Sequence, residues 1–135
     1  MKIFALFFCL LLAGTSWSQD TLVGVSETSA LRVRLGQGET ADLGAIQLKF
    51  VEVITDSRCP KNVQCIWAGE AIVAVELFRQ GKSKGIREIK LDAGALPVIY
   101  NGEDLLITAQ ALEPYPVAGE ENQEKKRYCL LLTVE

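Results

Sequence analysis

The residues of this chain whose types and spacing could do chemistry gather in one stretch, Thr55 to Glu70, which reads Thr-Asp-Ser-Arg-Cys-Pro-Lys-Asn-Val-Gln-Cys-Ile-Trp-Ala-Gly-Glu. It holds two of the four cysteines, Cys59 and Cys65, and one of the two tryptophans, Trp67. A close pair of thiols can serve as a redox couple, as metal ligands or as a structural bridge. The Cys-x5-Cys spacing departs from the Cys-x-x-Cys of redox sites, and no βαβ pattern surrounds it. The chain has no histidine, which removes the commonest metal ligand, the usual general base and every Ser-His or Cys-His nucleophile pair. A zinc site would need carboxylates to complete it, and no pair of acids stands out for carboxylate-only hydrolysis. The expectation is a protein that is not an enzyme, with no metal and no cofactor.

Which role the cysteines take depends on the compartment. Met1-Lys2, the apolar run Ile3 to Ala13 and the small, polar Gly14-Thr15-Ser16-Trp17-Ser18 read as a signal peptide over residues 1–18, cleaved between Ser18 and Gln19. The run is well short of the ~20 apolar residues that cross a bilayer. Bulky Phe7 and Phe8 before Cys9 argue against lipoprotein processing. The expected product is exported, periplasmic or secreted, with no stable membrane anchor. In that setting Cys59 and Cys65 pair across a tight loop, which the chain-entropy account credits with about 2 to 2.5 kcal/mol. Cys129 is left over. Its apolar strand favours a buried thiol, and pairing with another chain is the alternative. A net charge of −3 without a basic block offers nothing to neutralise phosphates, so nucleic acid is not an expected partner.

The elements that must position this stretch follow from periodicity. Residues 19–30 read as an N-terminal arm or edge strand, and residues 31–135 as one domain. Leu31, Val33 and Leu35 alternate with Arg32 and Arg34, a half-buried strand. Glu39 to Leu43 is a short strand candidate. In Ala45 to Ile54 the residues Ile46, Leu48, Phe50 and Ile54 share a face with Val51 and Val53 opposite, so burial is expected to increase toward the cysteines. Ala71 to Phe78 is nearly continuous β-branched and apolar sequence, expected as a central strand covered on both faces.

Arg79 to Gly85 reads as an exposed hairpin loop, and Ile86 to Leu91 as the returning strand. Val98 to Tyr100 is a brief extended piece, and Asn101-Gly102 a type-I′ turn signal. Leu105 to Leu112 is a strand candidate with helix as its alternative, stopped by Pro114-Tyr115-Pro116. Val117 to Lys126 is a charged loop, and Tyr128 to Val134 a final strand with Tyr128, Leu130, Leu132 and Val134 on one face. About seven short strands and no convincing amphipathic helix give an all-β domain, a single small sandwich or barrel with one disulfide-closed corner.

Within the corner, Ser57-Arg58-Cys59-Pro60 sets an arginine beside a bridge and a proline, a preorganised shape suited to a trypsin-like protease pocket. The alternative is that Arg58 pairs with Asp56 or another acid and orders the loop. Trp67, two residues past Cys65, would pack beside the bridge if the strand has begun there; otherwise it is exposed for recognition. The residues expected to form a binding surface are Arg58, Lys61, Asn62, Trp67 and Tyr115.

Asp56-Ser57-Arg58-Cys59-Pro60 followed by Gln64-Cys65-Ile66-Trp67-Ala68-Gly69 resembles the signature of small exported bacterial proteins of largely unknown function, and Pro114-Tyr115-Pro116 before a final apolar strand is similar to their ending. The resemblance implies an envelope or secreted location and a β-rich fold, and implies no activity, catalytic residue or ligand. The functional expectation is a non-enzymatic binding or interaction module for a protein or small-molecule ligand in the envelope or outside the cell. A protease inhibitor, or an envelope enzyme without histidine-based catalysis, is the alternative.

Overall fold

The computed structural model describes residues 30–94, 96–119 and 127–135. The expected signal peptide and, apart from Ala30, the expected arm lie outside them, as do residues 120–126 of the charged loop. Eight strands follow in chain order: β1 (Leu31–Gly36), β2 (Thr40–Asp42), β3 (Ile46–Asp56), β4 (Ala71–Arg79), β5 (Lys82–Leu91), β6 (Val98–Asn101), β7 (Leu106–Glu113) and β8 (Cys129–Val134). They form two antiparallel four-stranded sheets, in the orders β1-β8-β7-β6 and β2-β3-β4-β5. Among the described residues each sheet keeps two unpaired edges, so the architecture is a sandwich and not a closed barrel.

Alternation builds the core. On β8, Leu130, Leu132 and Val134 are buried against the opposite sheet, while Cys129, Leu131 and Thr133 face outward and are half-buried. Ile46, Leu48 and Phe50 from β3 and Val73, Val75 and Leu77 from β4 meet them in one apolar cluster. Each such large side chain contributes about 1.5–3 kcal/mol on full burial. β4 is hydrogen-bonded on both sides, which accounts for its almost continuous apolar sequence. Its outward Ile72 and Phe78 are only half-buried, because among the described residues no layer covers that face, and the expected double cover is corrected.

The corner's approach is shaped by β3. Its pairing with β4 slips between Phe50 and Glu52 and again between Val53 and Thr55. Each bulge adds a residue and flips which side chain points inward. Val53 then lies opposite buried Val73 and Asp56 opposite buried Ala71, both on the core side, while Ile54 is 47% exposed. The expected increase in burial toward the cysteines is thus reversed, and an acid arrives at the inner face. Two turns also differ from the sequence reading. The β4–β5 hairpin closes at Gln80-Gly81, both with positive φ (52° and 71°), a two-residue turn that leaves Lys82 to Gly85 inside β5. At Asn101-Gly102 the chain instead makes a wider connection, the Gly102 N–H donating to the Leu105 carbonyl at 2.8 Å.

Candidate functional site

The corner continues the β3–β4 hairpin as a narrow ribbon. The Ser57 N–H donates to the Glu70 carbonyl at 2.8 Å and the Cys59 N–H to the Ala68 carbonyl at 2.7 Å. Gly69 (φ 68°) makes this closeness possible, since a Cβ there would run into the Ser57 carbonyl. Cys59 and Cys65 are disulfide-bonded, with Cα atoms 5.9 Å apart. The ribbon then bends over the end of the sandwich onto the segment that follows β7. The Lys61 N–H reaches the Pro116 carbonyl at 3.1 Å. The Asn62 side chain grips Ala118 twice, accepting its N–H at 2.7 Å and donating to its carbonyl at 3.2 Å.

Arg58 is the centre of this arrangement. Its Nε donates to Asp56 Oδ1 and its Nη2 to Asp56 Oδ2, each at 2.7 Å. Nη1 donates to the Leu112 carbonyl at 2.7 Å and Nη2 also to the Pro114 carbonyl at 3.1 Å. The guanidinium lies 4.7 Å from the Tyr115 ring centroid, and the Tyr128 hydroxyl donates to Asp56 Oδ2 at 3.2 Å. The Arg58 and Asp56 side chains are only 9% and 6% exposed. Burial is the largest single influence on the Asp56 carboxyl and pushes it up, but the Arg58 side-chain hydrogen bonds, its charge, its backbone N–H and the Tyr128 hydroxyl together hold it below its ordinary value. The Tyr128 phenol is pushed up, by burial first and then by the charge and hydrogen bond of Asp56, against the pull of Arg58.

This geometry sorts the expected surface. Arg58 is removed from it: a guanidinium committed to both carboxylate oxygens and two carbonyls cannot enter a protease pocket, so the inhibitor loop is corrected to an internal tie. Asn62 is a clamp between segments. Lys61 is exposed, its ammonium 5.4 Å from the Tyr115 ring, and Tyr115 is 38% exposed. Trp67 does not pack beside the bridge. It is 79% exposed and Ile66 93% exposed, because regular strand structure begins only at Ala71 and the alternation that would aim the ring at Cys65 is not yet established. Cys129 is half-buried, not buried, since it occupies the outward face of β8.

Beside the corner lies an open groove of about 820 Å³ whose lining includes Arg34, Lys61, Leu96, Tyr115, Arg127 and Cys129. Its walls are the corner ribbon, the β5–β6 connection and the end of β7. Arg34 is tied to Glu113 at 2.8 Å across the row that holds Cys129. Leu96 and Arg127 carry no signal in the sequence: Leu96 reaches the groove through the chain's crossing from one sheet to the other between β5 and β6, and Arg127 through the connection from β7 to β8. Among the described residues, no group of three or more cysteine or acidic side chains converges as a metal site would require. In comparisons with known proteins, no family model, no curated protein and no solved structure matches this chain.

Proposed function

We propose that this protein is an exported, non-enzymatic binding module, periplasmic or secreted, and that its recognition element is the Ile66–Trp67 tip together with the adjoining groove. The leader pattern of residues 1–18 and the Cys59–Cys65 bridge support the location. The observation that carries the reading is the contrast within the corner. Asp56, Ser57, Arg58, Asn62 and Gly69 are all occupied in holding the ribbon and the sheets together, whereas Ile66 and Trp67 stand 93% and 79% exposed at its tip. A solvated tryptophan beside a disulfide-closed ribbon offers a large apolar area for a partner to bury, and tryptophan is a favoured interface anchor.

A photo-crosslinking residue at Val63, itself 46% exposed, tests this in the exporting cell. The expected result is one defined adduct, competed away by added wild-type protein but not by the Trp67→Ala variant. Truncating an anchor of this kind should weaken the partner by ~2 kcal/mol or more, roughly 30-fold. Competition by the Trp67→Ala variant equal to that of the wild type would refute the assignment.

A further inference from the structure

The groove carries a charge pattern that narrows what it takes. Its lining includes four cations, Arg34, Arg58, Lys61 and Arg127, against two acids, Asp92 and Glu113. Arg58 is used by Asp56 and Arg34 by Glu113, and Asp92 has Lys90 within 4.0 Å. Lys61 and Arg127 are therefore left with no ion-pair partner among the described residues, at the mouth of a groove in a chain of net charge −3. The same lining carries two exposed apolar side chains, Tyr115 at 38% and Leu96 at 54%. The groove is open to solvent, and the ribbon residue Ala68 that lines it follows directly on Ile66-Trp67.

We infer that the groove binds an extended acidic segment of a partner polypeptide, seating an apolar side chain against Tyr115 and Leu96 and placing carboxylates on Lys61 and Arg127. This rests on the binding-module reading above and adds the class of ligand. A groove open to solvent suits a chain that enters and leaves, where an enclosed cavity would suit a small molecule. Net negative charge repels an acidic partner from most of the surface, so Lys61 and Arg127, without an ion-pair partner among the described residues, fix where and in which direction it docks.

The test uses two matched sets of short synthetic peptides. In one, a central Leu, Phe or Trp is flanked by Asp and Glu; in the other, the same centre is flanked by Lys and Arg. Binding to the purified disulfide-bonded protein is measured by calorimetry at low and at physiological salt. The acidic set is expected to bind, more weakly as salt rises, and the basic set is not. The Lys61→Glu, Arg127→Glu double variant should lose about tenfold or more toward acidic peptides and gain toward basic ones, with unchanged thermal unfolding showing that it is folded. Equal binding of both sets, binding of neither, or unchanged preference in the double variant overturns the inference. So does association with phosphatidylglycerol-containing vesicles in the absence of peptide binding. If Val63 still crosslinks a partner in a Trp67-dependent way while acidic peptides fail, the ligand class is wrong and the binding module stands. If both fail, the module reading falls with it.

Discussion

Replacing Arg58 by Ala probes the tie that joins the two sheets. The substitution removes both guanidinium donors from a carboxylate that is 6% exposed and leaves it the Tyr128 hydroxyl. It also leaves the Leu112 and Pro114 carbonyls without the guanidinium and strips one cation from the Tyr115 ring. An exposed ion pair of the same composition would be worth at most ~1 kcal/mol. Removing one partner of a buried, hydrogen-bonded pair costs about 3–5 kcal/mol, because the other charge stays buried. Asp56 and Arg58 are partly buried residues with nearly enclosed side chains, so the loss should fall between these two limits, above ~1 kcal/mol. Urea unfolding of the single variants and of the Asp56→Asn, Arg58→Met pair measures it, and the double variant should recover part of the loss, since it buries no lone charge.

The pH dependence has a definite sign. The folded Asp56 carboxyl titrates below its unfolded value of 3.8, so on acidification the unfolded chain takes up the proton first. Stability from the pair is present above pH 3.8 and is lost as pH falls through the lower, folded value. The gap between wild type and Arg58→Ala should therefore be constant around neutrality, begin to narrow once pH falls through the Asp56 value of the variant, which burial without Arg58 pushes up, and close at strongly acidic pH. A loss under ~1 kcal/mol, or a gap that closes near neutrality, would refute this account.

Gly69→Ala should destabilise by about 1–3 kcal/mol, since the positive φ and the approach of the Ser57 carbonyl both oppose a side chain; chemical denaturation checks it. Trp67→Ala and Ile66→Ala should leave stability within ~0.5 kcal/mol, as expected for exposed positions, and a large drop in melting temperature would mean that the tip packs on something in solution. Cys129→Ser should cost less than ~1 kcal/mol because its face is only half-buried. In the native fold its thiol should react with a labelling reagent, though more slowly than in urea.

Much of the sandwich was legible because alternation on β1 and β8 and the continuous apolar run of β4 are local signals that a one-sided or central strand must carry. The Cys59–Cys65 bridge was legible from spacing and compartment. The phase of β3 was not: a bulge at Val51 and another at Ile54 are set by pairing with β4, and neither leaves a Gly or Pro mark. Nor does alternation tell which face of β8 turns outward, so the expected burial of Cys129 gives way to a half-buried position. At the corner, pairing of Arg58 with Asp56 was one of two readings the residues allowed. Its contacts to Leu112 and Pro114, and the Tyr128 hydroxyl on Asp56, join residues 54, 56 and 72 positions apart. No periodicity spans such distances, and they decide that Arg58 is inside while Trp67 is out.

The pairing of β1 with β8 has a mechanical consequence. Leu31 lies opposite Val134 at the end of the sheet away from the corner, while Gly36 and Cys129 meet beside it. A stretching force applied across Leu31 and Val134 therefore pulls two neighbouring strands apart from their open end, straining the ladder's hydrogen bonds one after another instead of all at once. In an atomic-force pulling experiment the sheet should yield at low force by unzipping. The Cys59–Cys65 loop and the Arg58 tie, at the far end of the molecule, would be the last parts to feel the load.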